Sequence, residues 1–320
     1  MAITELLTVG EAFEDLIFLN LPRIPGPGEE VKTNGFVATI GGGAVISAVA
    51  AHRLGVRCRI VSGMSDRAVR YLRGEGLAVR NLRRPGESHA ISAALSTATN
   101  RSFVTFNGVN DVLEDRLLPA VAEERARHVH FAFFPRSCLR WERVVRHLRY
   151  AGVTTSWDFG WNEALLDDDR FPTLLRALDY VLFNAQEAVL YSGRRTVAAA
   201  LGAWRRSPMH VIIKLGARGS RWVGSDTDLQ ASARRARVVD TTGAGDAFNG
   251  GFLAARLRNL PPRLSLRLGN HVGTASTRRA GGLDGLPSLE ELPAAFARIT
   301  TGVTITSPAR PSSRARVRLS

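Results

Sequence analysis

Apolar residues in this chain gather into short runs separated by Gly, Pro and charged residues, and the spacing within each run sets the element it predicts. LLTVG (6–10) is a short apolar run closed by Gly, as expected of a buried first strand. LPRIPGPGEEV (21–31) is rich in Pro and Gly and predicts a loop or turn. GGGAVISAVAAHRLG (41–55) opens on glycines, continues through small apolar residues and closes at Gly55, the pattern of a helix with a glycine C-cap. VRCRIVSGM (56–64) predicts the next strand, and AISAALSTA (90–98) with SFVTFNG (102–108) predicts a hairpin.

From about residue 115 strand-length and helix-length patterns alternate. HVHFAFF (128–134), VTTSWDFG (153–160), YVLFN (180–184), HVIIKLG (210–216), SRWVG (220–224) and ARVVD (236–240) predict strands. LRWERVVRHLRYAG (139–152), FPTLLRAL (171–178), stretches near 185–192 and 196–206, AFNGGFLAARL (247–257) and RLSLRLGNHVGTASTRR (263–279) predict helices. Such alternation is the signature of an α/β fold with a parallel sheet covered by helices on both faces. The β-like stretches near 11–38 and 90–108 interrupt it and predict a small separate sheet. No internal repeat is present.

Composition fits a soluble globular protein of one large α/β domain or two smaller ones: 320 residues, 45% hydrophobic and 22% charged. No run of about 18 apolar residues predicts a membrane span. MAITELLTVGEAFEDL carries early acids and no basic leader, and the only cysteines are Cys58 and Cys138, so neither secretion nor a disulfide framework is predicted and a cytoplasmic location is the default. The formal charge of +14 is almost all arginine, lysine occurring only at 32 and 214. These arginines are scattered, with no basic stripe interleaved with aromatics, so nucleic acid is not an expected partner. The Pro-, Ser- and Arg-rich end, residues 306–320, is expected to be a disordered basic tail.

The stretch DTTGAGDAFNGG (240–251) carries the chemistry. A strand is expected to end at Asp240, a glycine-rich turn to follow, and a helix to begin at about Ala247. Such a turn aims unpaired backbone N–H groups at one point, where the helix dipole adds partial positive charge. Glycines let an anion approach without a Cβ in the way. Asp246, at the edge of that hole and held ionised by the same field, would accept a proton from an attacking hydroxyl. Phosphoryl transfer needs little more, because positioning and charge neutralisation supply most of the rate. The bland alternative is a tight β–α turn with a first-turn acid.

DTTGAGDAFNGGFLAA closely resembles the C-terminal signature of the ribokinase-like (PfkB) carbohydrate kinases, and the resemblance extends over about residues 6–300. GGGAVISAVAAHRLG resembles the N-terminal glycine signature, FNAQEA (183–188) the NxxE motif, IIKLGARG (213–219, with Ile212) the nucleotide-side strand and turn, and TRRAGGLDGLPS (277–288) the closing loop. The resemblance implies a three-layer α/β/α sandwich with a mostly parallel central sheet and a small β-sheet lid. The core would comprise 1–10, 39–89 and 109–305, and the lid 11–38 and 90–108. It implies transfer of the γ-phosphoryl group of ATP to a hydroxyl, with Asp246 as catalytic base and Gly243, Ala244 and Gly245 as anion hole. Asn184 and Glu187 would help hold Mg²⁺ and its waters, although in isolation the pair reads as a helix cap with a capping-box acid. Lys214, Gly216 and Gly219 would line the nucleotide and Asn270 would lie near the adenine. Asp240, Thr242, Ser276, Arg279, Gly281 and Gly285 match positions that in many members bind K⁺, mainly through backbone oxygens. Asp15, or Glu14 beside it, would hold two sugar hydroxyls, with Gly41, Gly42 and Gly43 giving close approach and Asn110 on the lid side. Pairing through the lid, as relatives often do, would make a homodimer.

Two departures bear on the acceptor. Ile46 stands where the family signature carries an Asn that contacts the sugar, and GMSDRAVRYLRGEGL (63–77) is shortened. Trp157 and Trp161 flank Asp158 and either stack on a substrate ring or pack beneath the sheet edge; His89, Phe103, Phe106 and Arg136 fall near the expected pocket without a fixed role. A kinase for a sugar or sugar derivative is the leading reading. A nucleoside kinase, and a catalytically weak member acting as a ligand sensor, are the alternatives. The chain has no GxxxxGK[ST] loop, no protein-kinase HRD segment before its DFG, and no GxGxxG after the first strand, which excludes those three nucleotide-binding classes.

Overall fold

The computed structural model describes residues 3–296. In chain order its strands are β1 (Thr4–Gly10), β2 (Phe13–Leu21), β3 (Gly35–Gly41), β4 (Cys58–Ser62), β5 (Ala78–Asn81), β6 (Ile91–Thr97), β7 (Arg101–Phe106), β8 (Ala126–Ala132), β9 (Thr154–Asp158), β10 (Tyr180–Asn184), β11 (His210–Lys214), β12 (Ser220–Gly224) and β13 (Thr227–Ala231). The helices are α1 (Gly43–Arg53), α2 (Asp66–Gly74), α3 (Asn110–Glu123), α4 (Cys138–Tyr150), α5 (Phe171–Ala177), α6 (Ala185–Ser192), α7 (Val197–Arg205), α8 (Ala244–Leu257) and α9 (Pro262–Ser276).

A nine-stranded sheet forms the middle layer, in the order β13-β12-β11-β10-β9-β8-β1-β4-β5. Its strands run parallel except at the β11–β12 and β12–β13 pairs. Both faces are covered, so the central strands are apolar on both sides rather than alternating with polar residues. Leu6, Ile60, Leu182 and Ile212 pack on one face with α1, α8 and α9. Leu7, Val61, Val181, Phe183, Val211 and Ile213 pack on the other with α3 to α7. The three-layer α/β/α sandwich follows from that period-two division of each strand.

A second sheet of four strands, ordered β3-β2-β6-β7, stands apart from the first. Its β2–β3 and β6–β7 pairs are antiparallel and its β2–β6 pair is parallel. It is built from the two stretches that broke the alternation. Strand β3 runs past the expected lid boundary at 38, because pairing with β2 continues to Phe13 opposite Gly41.

Several elements differ from expectation. ARVVD (236–240) is not a strand: Val238 and Val239 are exposed, and the N–H groups of Val239 and Asp240 both donate to Thr277 O at 2.8 and 3.2 Å. The antiparallel edge is β13, TDLQA, whose polar residues give no strand signal because one face meets solvent. Helices α2 and α3 and strand β5 were not predicted; α3 contains Pro119, which works against a helical reading. Helix α8 starts at Ala244, so the glycine turn and Asp246 form its first turn rather than precede it. The basic end at 306–320 lies outside the described residues.

Candidate functional site

Gly243 is the N-cap of α8, with φ 69°. A Cβ there would sit 2.4 Å from Ile46 Cδ1, so both the left-handed backbone and the packing require glycine. The Ala247 N–H returns to Gly243 O at 2.8 Å, closing the first turn. Ala244 N–H donates to Thr241 O at 3.3 Å. The hole therefore differs from the expected trio of free amides. Among the described residues, the N–H groups of Gly243, Gly245 and Asp246 have no acceptor, while that of Ala244 belongs to the turn.

Lys214, at the end of β11, projects beneath this turn: a Cβ on Gly245 would be 3.3 Å from its Nζ. The ammonium meets Asp158 Oδ2 of β9 at 2.5 Å and donates to Asn249 Oδ1 of α8 at 3.3 Å; Asn249 Nδ2 in turn donates to Asp158 Oδ2 at 2.6 Å. Burial opposes the ammonium's charge, but Asp158, Glu187 and Asp246 outweigh burial and hold it protonated, above its ordinary range. The expected lining role of Lys214 thus becomes a buried positive charge under the hole. Asp158 and Asn249 were not singled out from the sequence as its partners; only the fold brings β9, β11 and α8 together.

Three carboxyls around this charge are pushed up to about 7. For Asp246 the cause is burial, then the charge of Asp158, with Lys214 pulling back and Asp15 adding to the rise. For Glu187 it is again burial, then Asp158. For Asp15 it is burial and the charge of Asp240. The expectation that the helix field holds Asp246 ionised meets a stronger opposing effect, desolvation together with neighbouring carboxylates.

Asn184 and Glu187 make the capping box of α6. Asn184 Oδ1 accepts from the N–H groups of Gln186 and Glu187 at 2.8 and 2.9 Å, and Glu187 Oε2 accepts from Asn184 N–H at 2.8 Å. The cap does not remove Glu187 from the site, since its carboxyl still senses Asp158 and Asp246. Among the described residues no three His, Cys, Asp or Glu side chains converge to ligate a metal directly. A partly hydrated Mg²⁺ carried by phosphates fits such a site, and the raised carboxyls of Glu187 and Asp246 are those its charge would relieve.

The N-terminal glycines sit between two acids. A Cβ on Gly41 would fall 1.9 Å from Asp15 Oδ2, and one on Gly43 3.1 Å from Asp246 Oδ1. Gly42 has φ 98° and its Cβ would meet Glu11 O at 2.4 Å. Gly41 and Gly43 are two residues apart, at most about 7 Å along a chain. The two carboxylates thus face each other across the glycine run, close enough for the charge of Asp15 to raise the Asp246 carboxyl. Asp15, not Glu14, faces it; Glu14 points to the opposite side of the small sheet, toward Arg67 and His89. Asp15 begins a polar row across the four strands, with Thr39, Ser92 and Thr105 in register. Asn110 donates to Ala12 O at 3.4 Å and leaves its buried Oδ1 unpartnered. It lines a cavity of 180 Å³ with Glu11, Phe134 and Arg136.

The other expected residues divide. Gly216, φ 60°, has open space before it. Gly219 is pressed against Ala231 O, and Asn270 is buried and donates to that same oxygen at 2.9 Å, so both secure the end of β13. Asp240 gathers the loop set: Oδ1 accepts from Thr242 N–H and Oγ1 at 2.9 and 2.8 Å, and Oδ2 accepts from Gly281 N–H at 3.0 Å. Ser276 O accepts from Arg279 N–H at 3.5 Å and lies against Gly285. Arg101 of β7 reaches this loop, a contact that no sequence signal indicated. Ile46 packs against Gly243 and Gly282, buttressing the hole from below. Trp157 is fully buried and stacks on Phe131 and Phe159, which resolves it as packing; Trp161 is half exposed.

Comparison with known proteins places this geometry. The model of the pfkB family carbohydrate kinases matches residues 3–289. An uncharacterized sugar kinase of Escherichia coli, YegV, is 26% identical over 297 residues, covering 89% of this chain and 92% of its own. The adenosine kinase structure of Sinorhizobium meliloti superposes with a TM-score of 0.76 at 23% identity, over 94% of this chain and all of that one. An Arabidopsis thaliana ribokinase complexed with ribose and ATP gives 0.74 at 20% identity, over 94% and 100%.

Proposed function

This chain belongs to the pfkB family of carbohydrate kinases, and from that membership and the site geometry we propose that it moves the γ-phosphoryl group of ATP to a hydroxyl of a sugar or sugar derivative. The observation that carries the reading is the Asp246 carboxyl beside the unpartnered amides of Gly243 and Gly245, with the Lys214 ammonium beneath and Asp15 across the gap.

In this reading Asp246 takes the proton of the attacking hydroxyl as general base. The amides of the α8 first turn receive charge on the migrating group, and Lys214 adds a fixed positive charge from below. Asp15 and the row Thr39, Ser92, Thr105 orient the acceptor's hydroxyls, and the small sheet of β2, β3, β6 and β7 acts as the lid over the core built on the large sheet. Magnesium, when bound, neutralises the phosphates. Asn184 and Glu187 would hold its water shell, and Gly216 leaves room for the nucleotide.

A nucleoside acceptor has one specific support: Phe103 shares the face of the small sheet with Arg101 and exposes its ring, where a base could stack. The deciding experiment is acceptor-dependent ADP formation over a panel of sugars, sugar acids and nucleosides. Turnover with a sugar or sugar acid is expected. Turnover confined to nucleosides would shift the acceptor class. No turnover alongside tight acceptor binding would favour the sensor reading.

A further inference from the structure

The loop that carries the anion hole is tied down by a residue of the other sheet. Arg101 begins β7, and its guanidinium spans to residues 240–242. It lies 2.9 Å from Asp240 Oδ1, donates to Thr241 Oγ1 at 2.6 Å, and also donates to Thr242 Oγ1. The guanidinium carbon of the same side chain lies 5.7 Å from the Phe103 ring centre. Asp240 is buried and carries a full set of partners, from Thr242 N–H and Oγ1, Gly281 N–H and Arg101. Burial works against its ionisation, but those donors and the guanidinium outweigh it and keep the carboxyl below its ordinary range.

The family resemblance implies a monovalent cation at Asp240, Thr242, Ser276, Arg279, Gly281 and Gly285. Here a side-chain cation already stands at the acidic member of that set. The one carboxylate of that set is already neutralised at hydrogen-bonding distance, and the guanidinium is an ion that cannot diffuse away. It comes from the small sheet, which is seated here over the loop.

We propose that Arg101 is a built-in cation for the 240–242 loop, so that this protein shapes its anion hole without K⁺ and completes it when the small sheet closes. Arg101 is a positioning residue: it touches the loop that ends in Gly243, not the reacting atoms. The proposal rests on the kinase reading of that hole, and its test includes an arm that needs no nucleotide.

The test compares the full chain with Arg101→Ala, Arg101→Gln and Arg101→Lys in potassium chloride and in N-methylglucamine chloride at equal ionic strength. ADP affinity, measured by calorimetry with magnesium present, is expected to agree within about twofold between the salts for the wild type. Arg101→Ala and Arg101→Gln are expected to bind ADP about fivefold or more weakly in N-methylglucamine, with much of that loss recovered by K⁺. Arg101→Lys, which keeps the charge, is expected to be intermediate. Melting temperatures give the independent arm: K⁺ should raise that of the Ala and Gln variants by about 2 °C or more and leave the wild type unchanged. A wild type that needs K⁺ for ADP binding or stability overturns the proposal, as do neutral variants that match wild type in both salts. Absent ADP binding in every protein counts against the kinase reading, and the melting arm still decides the role of Arg101. Should the Ala variant fail to fold, the wild-type salt comparison and Arg101→Gln decide it.

Discussion

At the scale of the residue, the proposed base Asp246 sits in an environment that predicts a pH dependence. Burial and the charge of Asp158 push its carboxyl up to about 7, against about 4 for an ordinary aspartate. A general base must be ionised, so kcat/KM should fall as pH drops below about 7 rather than hold to about 4; a pH profile at unsaturating ATP and acceptor, which reports the free protein, checks it. Stability has the opposite sign. The unfolded chain ionises first, so the stabilisation from the neutral buried carboxyl is complete below about 4 and lost as pH rises through about 7. Asp246→Asn should therefore gain about 3–4 kcal/mol at about pH 8 and little at about pH 4, measured by urea unfolding. The proposed base and the glycines were legible in the sequence because they sit in motifs of fixed spacing, whereas Asp15 and Glu14 are told apart only by the face of β2 each occupies. The height of the Asp246 carboxyl's ionisation was not legible, since it is set by Asp158 and Lys214, far away in sequence.

Between elements, two contacts hold the turn of α8 in place. Ile46 of α1 fills the space a Cβ on Gly243 would need. Gly243→Ala should cost about 1–3 kcal/mol from backbone strain and the clash. Ile46→Val removes the clashing Cδ1 and should return part of that cost in the double variant, leaving the strain; a double-mutant cycle in urea measures the coupling. The second contact is the Lys214–Asp158–Asn249 cluster joining β11, β9 and α8. Lys214→Met strands a buried carboxylate and should cost about 3–5 kcal/mol, whereas the same change together with Asp158→Asn should cost less. Strong apolar periodicity made most of the central strands and their helices readable. ARVVD was misread because an apolar run without a strand partner looks like a buried strand, and β13 was missed because an edge strand with polar residues looks like a loop.

On the scale of the whole molecule, the two sheets do different work. The layer around the large one carries Asp246, the free amides and the buried ammonium; the small one carries Asp15, the hydroxyl row and Arg101. The small sheet's other face exposes Phe36, Val104 and Phe106, which lie on one side of the register. An apolar sheet face left to solvent invites a partner. A second copy pairing lid to lid is proposed as that partner, and the chain should sediment as a dimer that Val104→Lys with Phe106→Lys converts to monomer; a monomeric wild type would refute the pairing. The arginine-rich composition finds its use in joining elements. Arg53 with Glu75, Arg116 with Glu87 and Arg258 with Glu5 each tie segments distant in sequence. Order of motifs along the chain was enough to anticipate the two-sheet plan, but the contact between Arg101 and Asp240 arises only from folding one sheet over the other.

The most direct measurement is the rate of phosphorylated-acceptor formation by wild type and Asp246→Asn, at saturating ATP, magnesium and acceptor near pH 8, with ADP affinity measured in parallel. The account predicts a fall of about 10²–10⁴ in rate with ADP affinity preserved within about threefold. An unchanged rate in the variant would show that the proton leaves by another route and that the carboxyl beside the 243–245 turn is not the base.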